Sequence, residues 1–317
     1  MRLRFTILSA MILGLSSLPL FASNGTVPFL AAGTVVTGAG PNAMATGDFN
    51  HDGKSDIVVV DSGVSKLMVL LGAGNGQFAA GVNYPGPEKA DAVQVADMNG
   101  DGNLDLIAVG QGTNGTGSLT VLLGNGDGTF QTPTTYSLSA KAYDLAVTDL
   151  NHDGFPDVAI STSGSGLMVL LNNGSGGLNS PTTYSVNGPS THIIAGDFNG
   201  DGSPDLIALN GIPYYLPNHG DGTFGAAQRI STPSSLEKMD VSAGDYNGDG
   251  KLDLAISGIL GVGNGQVGIL FGNGDGTFQP ATLYATEGNA SDHLATSGCD
   301  LSNARSADCP GNCGLQR

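Results

Sequence analysis

The 317-residue chain has no tryptophan, and only 6 % of its residues are aromatic. That scarcity disfavours an extended aromatic platform of the kind that sugars stack on. Basic residues are also few, 11 Lys and Arg against 28 Asp and Glu, giving a formal charge of −17. A basic face for nucleic acid is excluded. The three cysteines, Cys299, Cys309 and Cys313, all fall in the last 19 residues, so no disulfide framework holds the body of the chain. Together with His293 they match no usual zinc spacing. Long apolar runs are missing except from Phe5 to Phe21, which Gly14, Ser16, Ser17 and Pro19 interrupt. Arg2 and Arg4 precede that run and Ala22-Ser23 follow it, so residues 1–22 read as a secretory signal. The expectation is a secreted or periplasmic protein with no membrane span after signal removal.

What the chain has in abundance is glycine, 51 residues, and short Val/Ile/Leu runs, which together point to an all-β solenoid or propeller. Within this background Asp-x-Asn-x-Asp-Gly-x-x-Asp recurs five times, with first residues 49, 52, 48 and 48 apart. The side-chain oxygens at positions 1, 3, 5 and 9 are Asp48, Asn50, Asp52 and Asp56 in the first copy and Asp97, Asn99, Asp101 and Asp105 in the second. They are Asp149, Asn151, Asp153 and Asp157 in the third, Asp197, Asn199, Asp201 and Asp205 in the fourth, and Asp245, Asn247, Asp249 and Asp253 in the fifth. Oxygens on alternate residues of a tight loop suit a hard cation, and Gly at position 6 permits the turn. Plain Asx turns favour the same residue types. Three carboxylates within nine residues repel one another, however, and a simple turn has no cause to repeat that penalty five times. The pattern therefore predicts up to five Ca²⁺, one per loop. These loops hold 15 of the 28 acidic residues, so five bound ions would bring the charge from −17 to −7.

EF-hands place a bidentate Glu at position 12 between helices. Here positions 10 to 12 are apolar, as in Leu106-Ile107-Ala108, so each loop joins two strands. Each period of about 49 residues holds four short strands, in the second copy Ala92–Ala96, Leu106–Val109, Leu119–Leu123 and Phe130–Tyr136. Pro213 predicts a short or bulged third strand in the fourth copy. Gly124-Asn125-Gly126-Asp127-Gly128 and its counterparts lack a following helix or Lys, so they read as hairpin turns and not phosphate loops. Phe78, Phe130, Leu178, Phe224 and Phe278 read as packing residues between units. His51 and His152, at loop position 4, read as solvated.

The unit "VTDLNHDGFPDVAI…GLMVLLNNGSGGL…TTY" resembles the FG-GAP/VCBS repeats of integrin-α-type β-propellers, over roughly residues 28 to 286. The resemblance implies one four-stranded blade per repeat, the loop joining its first two strands, and calcium held by positions 1, 3, 5 and 9. It also implies that the backbone carbonyl of position 7 (Lys54, Asn103, Phe155, Ser203, Lys251) completes each shell. Asn at every position 3 lowers the ligand charge, in keeping with weak extracellular sites.

Residues 29–38 match a fourth strand, as do residues 278–286, so five full blades carry one surplus strand. In the tail, residues 287–317, Asp300 and Asp308 keep the spacing of positions 1 and 9, but Ala304 and Arg305 replace the Asp and Gly between them. The expected fold is a propeller of five blades in an open or truncated arc, with a closed five-bladed ring as the alternative. No nucleophile elbow, metalloprotease helix or other catalytic motif appears. The function expected is a secreted, non-enzymatic binding or adhesion scaffold with structural calcium and an extracellular protein or glycan as partner. A lectin-like propeller is one alternative, with Tyr84, Tyr136, Tyr184 and Tyr284 recurring at the fourth strand. A polysaccharide-active enzyme on the same scaffold is the other.

Overall fold

The computed structural model describes residues 40–164, 166–233, 237–260 and 264–285. The proposed signal, the surplus strand at 29–38 and the tail beyond residue 286 lie outside them. Five antiparallel four-stranded meanders follow in sequence order. Blade I comprises β1 (Pro41–Gly47), β2 (Asp56–Asp61), β3 (Lys66–Leu70) and β4 (Val82–Pro85). Blade II comprises β5 (Ala90–Ala96), β6 (Asp105–Gln111), β7 (Gly117–Leu122) and β8 (Thr134–Leu138). Blade III comprises β9 (Ala142–Thr148), β10 (Asp157–Thr162), β11 (Gly166–Leu170) and β12 (Thr182–Ser185). Blade IV comprises β13 (His192–Gly196), β14 (Asp205–Leu209), β15 (Pro213–Leu216) and β16 (Gln228–Arg229). Blade V comprises β17 (Glu237–Gly244), β18 (Asp253–Leu260), β19 (Asn264–Leu270) and β20 (Thr282–Ala285).

The burial of each strand explains its composition. Second strands such as β10 and β14 are buried along their whole length, which is why they read as unbroken apolar runs and not as alternating ones. Fourth strands such as β4 and β20 are largely exposed and carry Thr, Asn and Tyr. The first strand of each blade lies against the first strand of the next. Phe130 sits four residues before its strand and closes the hairpin by an isolated bridge to Gly124. Pro213 is the first residue of β15, which is short, as expected, but pairs with β14 without a bulge.

Four apolar clusters fill the seams between successive blades. Val58, Val69, Leu106 and Leu122 join I to II, and Ile107, Val121, Leu145 and Ile160 join II to III. Ala159, Val169, Leu206 and Leu216 join III to IV, and Ile207, Leu209, Leu254 and Ile256 join IV to V. A closed ring of five blades needs a fifth seam, and among the described residues no cluster joins blade V to blade I. Five described blades joined by four seams fit an open or truncated propeller.

Polar side chains stitch the inner strands across the same seams. Asn42 Nδ2 donates to Ala90 O, and Gln94 donates to Leu145 O and accepts from Val147 N. Asp144 Oδ2 accepts from Ile193 N at 3.1 Å. His192 Nδ1 then lies 3.8 Å from Asp144 and 3.5 Å from Asp240. The same position holds Ala43 and Ala92 in blades I and II, so this polar row is confined to blades III to V.

Candidate metal-binding loops

Each nine-residue loop joins the first and second strands of its blade, as the spacing predicts, and the five close by one scheme. In the second, Asp97 Oδ1 accepts from Gly100 N and Asp101 N at 2.8 and 3.2 Å, and its Oδ2 accepts from Gly102 N at 2.8 Å. Asn99 Oδ1 accepts from Asp101 N, and Asp101 Oδ1 accepts from Asn103 N. Position 6 is left-handed throughout, φ 77 to 90° at Gly53, Gly102, Gly154, Gly202 and Gly250. A Cβ there would meet nothing within 4 Å, so backbone conformation alone requires the glycine.

Position 9 differs from the rest of the loop. Asp56, Asp105, Asp157, Asp205 and Asp253 are all completely buried. Each carboxylate accepts two backbone N–H groups, one at loop position 2 and one just past the third strand. For Asp105 these are Met98 N and Gly124 N, both at 2.7 Å. For Asp157 they are Leu150 N and Asn172 N, at 2.9 and 2.7 Å. The buried aspartate thus pins the loop to the neighbouring hairpin. Burial, helped by the charges of loop carboxylates nearby, raises Asp105, Asp157 and Asp205 to about 6 in spite of these bonds. Asp253 is raised for the same reasons. Asp101, exposed at position 5, is lowered by its bond from Asn103 N.

Loop I carries its own cation. Lys54 Nζ lies 3.0 Å from Asp52 Oδ2, and this bond holds Asp52 below the usual carboxylate range. In loops II to V the same oxygen accepts instead from the Asn at position 3.

The histidines at position 4 are solvated, as expected, but each also holds a neighbouring loop. Both are exposed, but His51 Nε2 is 2.9 Å from Asn103 Oδ1, and His152 Nε2 is 3.1 Å from Ser203 Oγ. Each clasps position 7 of the next loop. Both sit at positive φ, 56 and 60°, where the other loops have glycine.

The donor set of each loop is entirely oxygen, three carboxylates and an amide with a carbonyl at position 7, which fits a hard divalent cation in chemistry. The structure draws the loop polar groups together in every copy. Among the described residues, however, no three His, Cys, Asp or Glu side chains close on one point tightly enough to hold a metal ion. The carboxylate oxygens are turned to backbone N–H groups instead. The sequence places these polar residues in one loop, but it does not reveal that position 9 is committed to the hairpin.

A model of the FG-GAP-like repeat matches residues 48–108, 97–160, 149–208 and 210–256, more than half of the chain. The chain belongs to the FG-GAP-like repeat family. The first three matches each start at one loop and run into the next blade's second strand, and the fourth starts just after β14 and ends in β18, so the family's repeat and the blades seen here share one period. No curated protein sequence matches significantly. Among solved structures, the Vibrio cholerae biofilm matrix protein Bap1 is similar at 20 % identity and a TM-score of 0.45, over 82 % of this chain and 40 % of that one. BBS1N, solved in complex with ARL6DN, is similar at 12 % identity and 0.46, over 78 % and 84 %. A chain of the Photorhabdus luminescens Tc holotoxin pore is similar at 17 % and 0.41, over 75 % and 12 %. This FG-GAP-like chain therefore spans less than half of the Bap1 chain. Among its described residues no helix is long and apolar enough to cross a membrane.

Proposed function

We propose that this FG-GAP-like arc is a non-enzymatic binding or adhesion scaffold that works outside the cytosol and is stiffened by calcium in its five loops. Bound calcium would supply a double positive charge at the centre of each carboxylate cluster. Positions 1, 3 and 5 would turn their outward oxygens to it, with the position 7 carbonyl. Position 9 would hold the loop on its hairpin and offer its remaining lone pairs. The observation that carries this reading is the recurrence of one all-oxygen loop in five blades, with a buried aspartate in three of them pushed up to about 6 by burial and by neighbouring carboxylates. Such an arrangement is costly unless a cation compensates it.

Extracellular calcium, at about millimolar levels, suits sites of modest ligand charge. The reading is tested by calorimetric titration of the chelator-treated protein with CaCl₂. Saturable binding of several ions, absent with KCl, is the expected result. A titration without heat of binding at millimolar calcium overturns the calcium role and leaves a scaffold held by its seams alone.

A further inference from the structure

The seam between blades III and IV differs from its neighbours at its outer rim. A cleft of about 440 Å³ opens there, lined by Tyr184, Val186 and Asn187 on one side and by Tyr214, Phe224 and Ala226 on the other. That volume falls within the roughly 300–1,000 Å³ of small-molecule sites. Blade IV departs from the repeat in two ways at this place. Tyr214 stands where the other third strands carry Met68, Thr120, Met168 and Gly268. β16 is two residues long, against four or five in the other fourth strands. The residues before it are small, Gly225-Ala226-Ala227, as are Ala79-Ala80-Gly81 in blade I, so no bulky side chain fills the cleft from that side.

The phenols in the cleft lack protein partners. Tyr214 is only 8 % exposed, and its hydroxyl makes no hydrogen bond among the described residues. In the preceding seam Tyr136 Oη accepts from Leu178 N at 2.9 Å. Its counterpart Tyr184 makes no such bond to Phe224, and the two rings meet edge-on with centroids 5.3 Å apart. A phenol at the mouth of a largely buried side chain, with no protein partner, is open to a ligand hydroxyl. No charged side chain lines the cleft, so a phosphate, carboxylate or ammonium would lose its hydration without compensation. Aromatic walls favour a C–H face, while two phenols and the Asn187 amide suit hydroxyl groups.

We propose that this cleft is a binding site for an uncharged sugar ring, such as a terminal pyranose of a glycan. The site does not depend on calcium in the loops, so either reading can fail without the other. The test is saturation-transfer NMR on the full chain with the methyl glycosides of glucose, galactose, mannose and N-acetylglucosamine, and methyl phosphate as the charged probe. At least one glycoside is expected to bind saturably while methyl phosphate does not. Tyr214→Phe, which removes only the hydroxyl, should weaken binding about two- to tenfold. Ala226→Trp, at an exposed position, should abolish it. Should a variant fail to fold, chemical-shift mapping on the unsubstituted protein, read at Tyr184, Tyr214 and Phe224, locates the bound sugar directly. Absence of binding by every glycoside, binding that both substitutions leave unchanged, or shifts confined to another seam would overturn the proposal.

Discussion

Asp101 and Asp105 lie four residues apart in one loop, yet Asp101 is exposed and Asp105 is completely buried. Asp101 takes one backbone N–H of its own loop and is lowered below the usual carboxylate range. Asp105 takes two N–H groups, one from beyond the third strand, and burial holds it at about 6. The repeat writes both positions with the same letter. Their surroundings give one the work of a hinge pin and leave the other at the solvent side of the loop, bonded only within it.

The contrast is broken most forcefully by removing each carboxylate in the presence of a chelator. Asp105→Ala strands the Met98 and Gly124 N–H groups in a dry site and should cost about 2–5 kcal/mol. Asp101→Ala should cost less than about 1 kcal/mol, because it bares groups that water reaches. Urea unfolding of the two variants checks this; equal losses would end the distinction. In a calcium titration the same Asp101→Ala change should delete one ion from the stoichiometry.

Next in size is pH. Asp105, Asp157 and Asp205 have folded values raised above the ordinary carboxylate range. The folded protein therefore holds protons that the unfolded chain has released, and stability falls as pH rises from about 4 to 6. A loss on the order of 1–3 kcal/mol is expected in chelator, read from urea midpoints across that window. Saturating calcium should remove or reverse it.

A smaller effect belongs to Lys54, whose ammonium already sits on Asp52. Lys54→Ser should strengthen calcium binding at loop I several-fold without changing stability in chelator, which calorimetry would resolve. The smallest effect is expected from His51→Gly. Loss of the bond to Asn103 is offset by relief of a side chain held at φ 56°, so the net change should stay within about 1 kcal/mol by thermal unfolding.

Much of this molecule is legible in its sequence because each blade repeats one physical solution. Strand, loop, strand, strand, turn and strand come in that order wherever Asp-x-Asn-x-Asp-Gly-x-x-Asp is followed by an apolar run. The expected open or truncated propeller likewise fits the four seams that join the five described blades. Illegible were the contacts between repeats, which have no signature within one. His51 looks like a spare polar residue until loop II comes beside it. Asp144, His192 and Asp240 are 48 residues apart and meet only because their inner strands are neighbours. The scarcity of aromatics spoke against sugars by composition, but composition does not say that Tyr184, Tyr214 and Phe224 gather at one rim. What could have marked that rim is the break in the pattern at Pro213-Tyr214-Tyr215-Leu216.

The central claim is that the loop carboxylates exist to hold calcium and that calcium stiffens the arc. Scanning calorimetry of the full chain, in chelator and then in millimolar CaCl₂, tests it most directly. Ions that bind only the folded chain should raise the melting temperature by at least about 5 °C. Superimposable melts in the two buffers would contradict it.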